Sequence, residues 1–260
     1  MTQAAPLEHA EPVLRLRGIG RRFGGLHAVR DVDLEIAPGE RRAILGPNGA
    51  GKTTLFNVIA GDTAATSGRV VLMGQDATLM PARKRTQLGL ARTYQQSRLF
   101  LGLSVEDNLY LAVLGVKSGH LRPVVIPRKD REYRERARLA AGRVGLAGRD
   151  ETIVGSLSHG EQRQLEVGMA CASDPKLLML DEPASGLSRG ERVALTELLL
   201  RLDPSITLLL IEHDMDVALR VAERVTMMYE GRVVVEGTPG EIRANQLVHD
   251  LYLGRGYKGQ

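Results

Sequence analysis

The chain has 260 residues and a formal net charge of +4, which leaves room for one large α/β domain with a smaller lobe but not for two such domains. Apolar runs such as Leu177-Leu178-Met179-Leu180 and Leu208-Leu209-Leu210-Ile211 fall far short of the roughly 20 residues of a membrane-spanning helix. The single cysteine, Cys171, excludes an internal disulfide and fits a reducing compartment, and the opening Met1 to Pro12, with two Glu and two Pro, does not read as a secretory leader. Three Phe, six Tyr and no Trp, not interleaved with basic residues, argue against a stacking platform for nucleic acid.

In chain order, Val13-Leu14-Arg15-Leu16-Arg17 alternates as a half-buried strand. Leu34-Glu35-Ile36 before the turn Ala37-Pro38-Gly39-Glu40 predicts another, giving an antiparallel edge. Ala43-Ile44-Leu45 reads as a short buried strand. It runs into Gly46-Pro47-Asn48-Gly49-Ala50-Gly51-Lys52-Thr53-Thr54, a full match to the phosphate-binding pattern G-x-x-x-x-G-K-[ST], and the residues from Lys52 to Ile59 carry a helical pattern. Strand, glycine loop and helix are the context this motif requires. Gly46, Gly49 and Gly51 let backbone N–H groups turn inward around a phosphate, and the helix N-terminus favours the anion. Lys52 would reach the β- and γ-phosphates of a nucleoside triphosphate, and Thr53 would hold Mg²⁺.

Further on, Val70-Val71-Leu72 predicts a strand, and Ser104-Val105-Glu106-Asp107 a helix start with Ser104 as cap. Arg128 to Arg143 is dense in mixed charge, with Asp130/Arg134, Arg131/Glu135 and Glu132/Arg136 at helical spacing, and predicts a solvated helix. Leu157-Ser158-His159-Gly160-Glu161 opens a helix with Leu165, Gly168, Met169 and Ala172 on one face and Ser158 as N-cap. Leu177 to Leu180 and Thr207 to Ile211 read as central parallel strands, each followed at once by acidic residues, Asp181-Glu182 and Glu212-His213. Helices are predicted from Arg189 to Leu202 and from Met215 to Ala222, and a closing hairpin from Val225 to Glu236 about Glu230-Gly231. Ligands bind beyond the carboxyl ends of parallel strands, where the glycine loop and both acidic motifs would converge. There Asp181 can hold a Mg²⁺ shell and Glu182 can face an attacking water, although alone the pair reads equally as capping or surface carboxylates.

The order of these motifs resembles the ATP-binding-cassette ATPases from about Val13 to Glu241. An aromatic at Phe23 precedes the loop, and Gln95 follows in Arg92-Thr93-Tyr94-Gln95. Leu157 to Glu161 is similar to the family signature Leu-Ser-Gly-Gly-Gln, and His213 stands in Ile211-Glu212-His213-Asp214. The resemblance implies an α/β fold, a P-loop NTPase (RecA-like) core with an antiparallel β subdomain and a helical signature subdomain. The ATPase domain would span 12–241, with the core about 12–98 and 174–241, the helical subdomain about 99–173, and a tail at 242–260.

ATP and Mg²⁺ are the implied cofactors. Phe23 would stack on adenine, and Gly46, Pro47, Asn48, Gly49, Ala50, Gly51, Lys52, Thr53 and Thr54 would surround the phosphates. Thr53, Gln95 and Asp181 would serve the metal. Glu182 would be the general base, with Gln95 and His213 as further catalytic groups, and Ser158 and Gly160 would contact the γ-phosphate held by a second subunit. Outside this family, a strand-side aromatic, a loop glutamine, a surface histidine and a capping serine are all ordinary. Two departures stand out: His159 and Glu161 replace the commoner Gly and Gln, and Ser188 replaces aspartate after Ala184-Ser185-Gly186-Leu187.

The implied activity is ATP hydrolysis coupled to transmembrane transport at the cytoplasmic face of the cell membrane. The implied partners are a second ATPase subunit in a homo- or heterodimer, integral membrane permease subunits, and a periplasmic or extracellular substrate-binding protein, with no nucleic acid expected. The stretches Ala91 to Phe100 and Leu157 to Glu166, and the close Tyr252-Leu253-Gly254, are similar to ATPase subunits of branched-chain amino acid importers. Lipopolysaccharide-export, urea and amide transport ATPases share much of this body and stay as alternatives, as does a soluble cassette ATPase acting on nucleic acid.

Overall fold

The computed structural model describes residues 11–93, 99–117 and 130–253. Gln95 with its neighbours 94–98, Arg128 and Gly254 lie outside the described residues. The chain opens with strands β1 (Leu14–Phe23), β2 (Leu26–Ile36) and β3 (Arg41–Leu45), then helix α1 (Lys52–Ala60), strands β4 (Ser67–Leu72) and β5 (Gln75–Asp76), helix α2 (Ala82–Gln87) and strand β6 (Leu90–Arg92). Three helices follow, α3 (Val105–Lys117), α4 (Asp130–Arg143) and α5 (His159–Cys171), before β7 (Leu177–Asp181), α6 (Arg189–Leu200), β8 (Thr207–Ile211) and α7 (Met215–Val221). Strands β9 (Arg224–Tyr229) and β10 (Arg232–Gly237) and helices α8 (Pro239–Ala244) and α9 (Gln246–Leu253) close the described chain.

Two sheets result. A four-stranded antiparallel sheet runs β2-β1-β4-β5, and a six-stranded sheet runs β10-β9-β3-β8-β7-β6. In the larger sheet β9, β3, β8, β7 and β6 are parallel, and β10 pairs antiparallel at one edge. The continuous apolar runs of β7 and β8 follow from cover on both faces. Leu177, Met179, Leu209 and Ile211 join a cluster with α1 and the small sheet, whereas Leu178, Leu180, Leu208 and Leu210 face a second cluster with α3 to α6. Because β8 lies between β3 and β7, the segments leaving the carboxyl ends of all three strands emerge side by side.

Helix α1 has glycine in the left-handed region at both ends, Gly51 at its start and Gly61 at its finish. Its C-terminal carbonyls receive a buried cation: Arg85, 2% exposed, donates to the carbonyls of Val58 and Ile59 at 2.6 Å each and to Ala77 and Met80. A guanidinium there complements the negative end of the helix.

One element differs from the sequence expectation. Helix α4 is less solvated than its charge pattern suggests, because Ala137 and Ala141 are buried and Arg134 and Arg138 reach across to Glu106 on α3 at 3.1 and 2.7 Å. Beyond β10 the chain packs back through Ile242 and Val248, buried in a third cluster beside β3 and β9. Among the described residues no helix is long and apolar enough to cross a membrane.

Candidate active site

The loop between β3 and α1 carries positive φ at Gly46 (152°), Gly49 (81°) and Gly51 (97°). Side chains at two of these positions would collide with backbone, at Gly46 with the Met228 carbonyl and at Gly51 with that of Ala28. Only glycine lets the loop curl this tightly. Lys52 is buried and donates through Nζ to the carbonyls of Gly46 at 2.6 Å and Pro47 at 3.1 Å, so it folds back over its own loop. Burial lowers its pKa from the ordinary value, and the nearby charges of Glu182 and Asp181 oppose that shift.

A cavity of about 590 Å³ opens in front of this loop, lined among others by Leu26, Ala28, Lys52, Thr53, Glu182 and Gly231. Phe23 stands beside it and is not among the lining residues. It pairs with Leu26 across the β1–β2 turn, is half exposed, and has the Arg21 guanidinium 4.4 Å from its ring centre. The hairpin turn at Glu230-Gly231 closes the far side, where Gly231 N–H donates to Ala50 O at 3.0 Å and Arg30 N–H donates to Gly231 O at 2.7 Å.

Asp181 ends β7 and is 2% exposed. Its Oδ2 accepts from Arg92 at 3.1 Å, while Oδ1 is buried and has no hydrogen-bond partner among the described residues. Desolvation raises its pKa, opposed chiefly by Arg92. Arg92 also donates to Asn57 and Asp62 at the end of α1, at 2.8 and 2.9 Å. An orphaned carboxylate oxygen on a residue whose charge is felt by Lys52 of the loop is the kind of oxygen donor that suits a hard divalent cation such as Mg²⁺.

Glu182 takes a left-handed conformation, φ 46°, and its Oε2 lies 3.6 Å from His213 Nδ1. The two predicted catalytic side chains therefore meet, although they come from different strand ends. Gln95 lies outside the described residues.

Ser158 and Gly160 sit at the N-terminus of α5, apart from this cavity. Ser158 Oγ accepts from Glu161 N–H at 3.2 Å and Glu161 returns a carboxylate to Ser158 N–H at 2.9 Å, a capping box. Gly160 N–H donates to Glu191 Oε1 at 2.9 Å. Glu191 in turn belongs to a second capping box with Ser188 at the start of α6. Of the three residues that depart from the family pattern, Glu161 and Ser188 are thus helix-capping residues here, and His159 is in neither box.

Sequence reasoning missed Arg92, Arg30, Ala28 and the Glu230-Gly231 contact with the loop. Arg92 stood one turn of reading away, in the same tetrapeptide as Gln95, but its partners are far along the chain.

The fold and this strand-end site belong to a known class of ATPase. A protein-family model described as ABC transporter matches residues 29–185, and the chain belongs to that family. It is 38% identical over 252 residues to the high-affinity branched-chain amino acid transport ATP-binding protein LivG of Escherichia coli K12, an alignment covering 94% of this chain and 99% of LivG. It is 35% identical, with the same coverage, to the corresponding protein BraF of Pseudomonas aeruginosa. Among solved structures, the ADP conformation of MJ1267, an ATP-binding cassette of an ABC transporter, superposes with a TM-score of 0.82 at 27% identity, covering 94% of this chain and 100% of that one.

Proposed function

We propose that this chain is the ATP-binding and ATP-hydrolysing subunit of a membrane importer for branched-chain or related amino acids. The observation that carries the reading is the meeting of the glycine loop and Glu182 in the wall of one cavity, with His213 3.6 Å from the Glu182 carboxylate and Asp181 its neighbour at the end of β7. The full-length likeness to LivG supports the cargo class.

The glycine loop offers its N–H groups and the α1 N-terminus to the triphosphate, with Phe23 and Leu26 on the base side. Lys52 leaves the Gly46 and Pro47 carbonyls for the β- and γ-phosphates, a favourable exchange of neutral acceptors for charged ones. Mg²⁺, when bound, screens the charge of those phosphates; Thr53, Asp181 through Oδ1, and Gln95 would hold it. Glu182 orients the attacking water and accepts its proton, and His213 holds the γ-phosphate from the opposite side. Ser158 and Gly160 complete the pocket of a second ATPase subunit, so that ATP joins two chains and hydrolysis releases them.

A mostly apolar cleft of about 310 Å³ is lined by Leu90, Thr93, Leu99, Ala112, Met169 and Ala170, and Thr93 and Leu99 are the described residues that flank Gln95 in sequence. An integral membrane permease docks there, which places the chain on the cytoplasmic face of the membrane. A periplasmic or extracellular binding protein delivers the amino acid to that permease. The test is reconstitution with the permease and binding proteins in vesicles: ATP-dependent leucine uptake that is lost with Lys52→Ala supports the reading. Uptake indifferent to this chain's ATPase overturns it.

A further inference from the structure

Glu212 follows β8 directly and is fully buried, at 0% exposed. Its Oε1 accepts from Ala184 N–H at 2.8 Å, and its Oε2 accepts from His213 N–H at 3.2 Å and from Asp214 N–H at 3.5 Å. Among the described residues no lysine or arginine forms an ion pair with it; the nearest cationic candidate is the His213 ring, with Nδ1 4.0 Å from Oε2. Burying a carboxylate without a cation costs several kcal/mol unless the surrounding donors are well placed. Burial raises its pKa from the ordinary value and the backbone donors oppose that shift.

Those donors come from the two segments that carry the catalytic side chains. Glu182 N–H is anchored on Ile211 O at 2.9 Å, and two residues later Ala184 N–H is anchored on Glu212. The strained Glu182 backbone, at φ 46°, is therefore pinned on both sides to the end of β8. The same carboxylate holds the His213 backbone with its other oxygen.

We propose that Glu212 is a positioning residue for ATP hydrolysis: one buried carboxylate stitches the Glu182 segment to the His213 segment and fixes the carboxylate and imidazole relative to each other. The inference rests on the assignment of Glu182 and His213 above. A glutamine cannot replace it, because an amide has a single accepting oxygen and its NH₂ would face a backbone N–H. Misplacement of a reacting group by about 1 Å can lower a rate on the order of 100-fold.

The test compares Glu212→Gln, Glu212→Asp and Glu182→Gln for kcat and for ATP affinity, measured on folded dimer-competent protein. Glu212→Gln lowers kcat by about 10- to 100-fold with ATP affinity within about twofold of the parent, since the glycine loop is untouched. Glu212→Asp, which keeps two accepting oxygens on a shorter arm, retains more of kcat than Glu212→Gln, and it carries the test if the glutamine variant does not fold. Parent-like kcat in folded Glu212→Gln or Glu212→Asp, equal losses of kcat and affinity, or an aspartate variant slower than the glutamine one overturns the inference. Glu182→Gln separates the two readings: if it turns over at the parent rate the site assignment itself fails, and if it is inactive while Glu212→Gln is not, only the role of Glu212 fails.

Discussion

Helix α1 begins at Gly51 with no side-chain cap and no acidic residue in its first turn, whereas α5 begins at Ser158 inside a capping box and carries Glu161 there. Both N-termini are expected to meet phosphate, α1 within its own chain and α5 on a neighbour. At α1 no carboxylate of the first turn and no side-chain cap takes up the N–H groups at the positive end of the helix dipole. At α5 the chain's own carboxylates already occupy it, Glu161 on Ser158 N–H and Glu191 on Gly160 N–H. At an open terminus an anion displaces no helix cap, and only the Lys52 side chain has to change partners; a capped terminus must give up its own carboxylates. On the proposed reading, nucleotide would settle on α1 first and the second contact would form when chains associate.

The largest test of the α1 side is Glu182→Gln, which lowers turnover by about 10² to 10⁴ while leaving ATP bound and the dimer closed. Hydrolysis assays beside gel filtration in ATP check it, and a hydrolysing variant removes the catalytic reading. Next, Lys52→Ala weakens ATP binding about 10- to 100-fold by deleting a charge-assisted contact, measurable by calorimetry. A binding constant within twofold of the parent contradicts the exchange described for Lys52.

At the opposite end of α1, Arg85→Met takes the guanidinium from the Val58, Ile59, Ala77 and Met80 carbonyls, of which Val58 and Ala77 keep a backbone donor, and destabilises the fold by about 3 kcal/mol. Urea titration gives the number; a change below about 1 kcal/mol shows that these carbonyls find other donors.

The subtlest effect belongs to α5. On the Glu182→Gln background, Glu191→Ala frees Gly160 N–H and tightens ATP-dependent association about three- to tenfold, read by analytical ultracentrifugation. Unchanged or weaker association means that Glu191 does not compete with a neighbour's phosphate. The same residue has a pH signature. The Ser188 backbone N–H, then the Ser188 hydroxyl, then Gly160 N–H hold its carboxyl at about 2 against an ordinary 4.5. A depressed carboxyl stabilises the fold fully above the ordinary value and loses that contribution as pH falls towards the folded one. The stability gap between parent and Glu191→Ala therefore shrinks between pH 4.5 and about 2.

The central strands were legible because β3, β7 and β8 are buried on both faces and leave unbroken apolar runs. The glycine loop and the caps at Ser104 and Ser158 were legible because their chemistry is local, within three residues; Ser104 Oγ does accept from Asp107 N–H at 3.1 Å. Helix α2, with the sequence Ala-Arg-Lys-Arg-Thr-Gln and only Arg85 buried, has no apolar period to read. Strand β6 is three residues long. The partners of Arg92, Glu191 and Glu212 are long-range, and no spacing rule connects Gly160 to Glu191 or Ala184 to Glu212. The pairings between site residues, more than the residues themselves, needed the structure.

The Glu230-Gly231 turn ties these parts together in one more way. Gly231 donates to the phosphate loop at Ala50 and accepts from Arg30 on β2, so the floor under the phosphates and the wall beside the base form one continuous scaffold. A ligand entering this cleft meets walls already tied to one another.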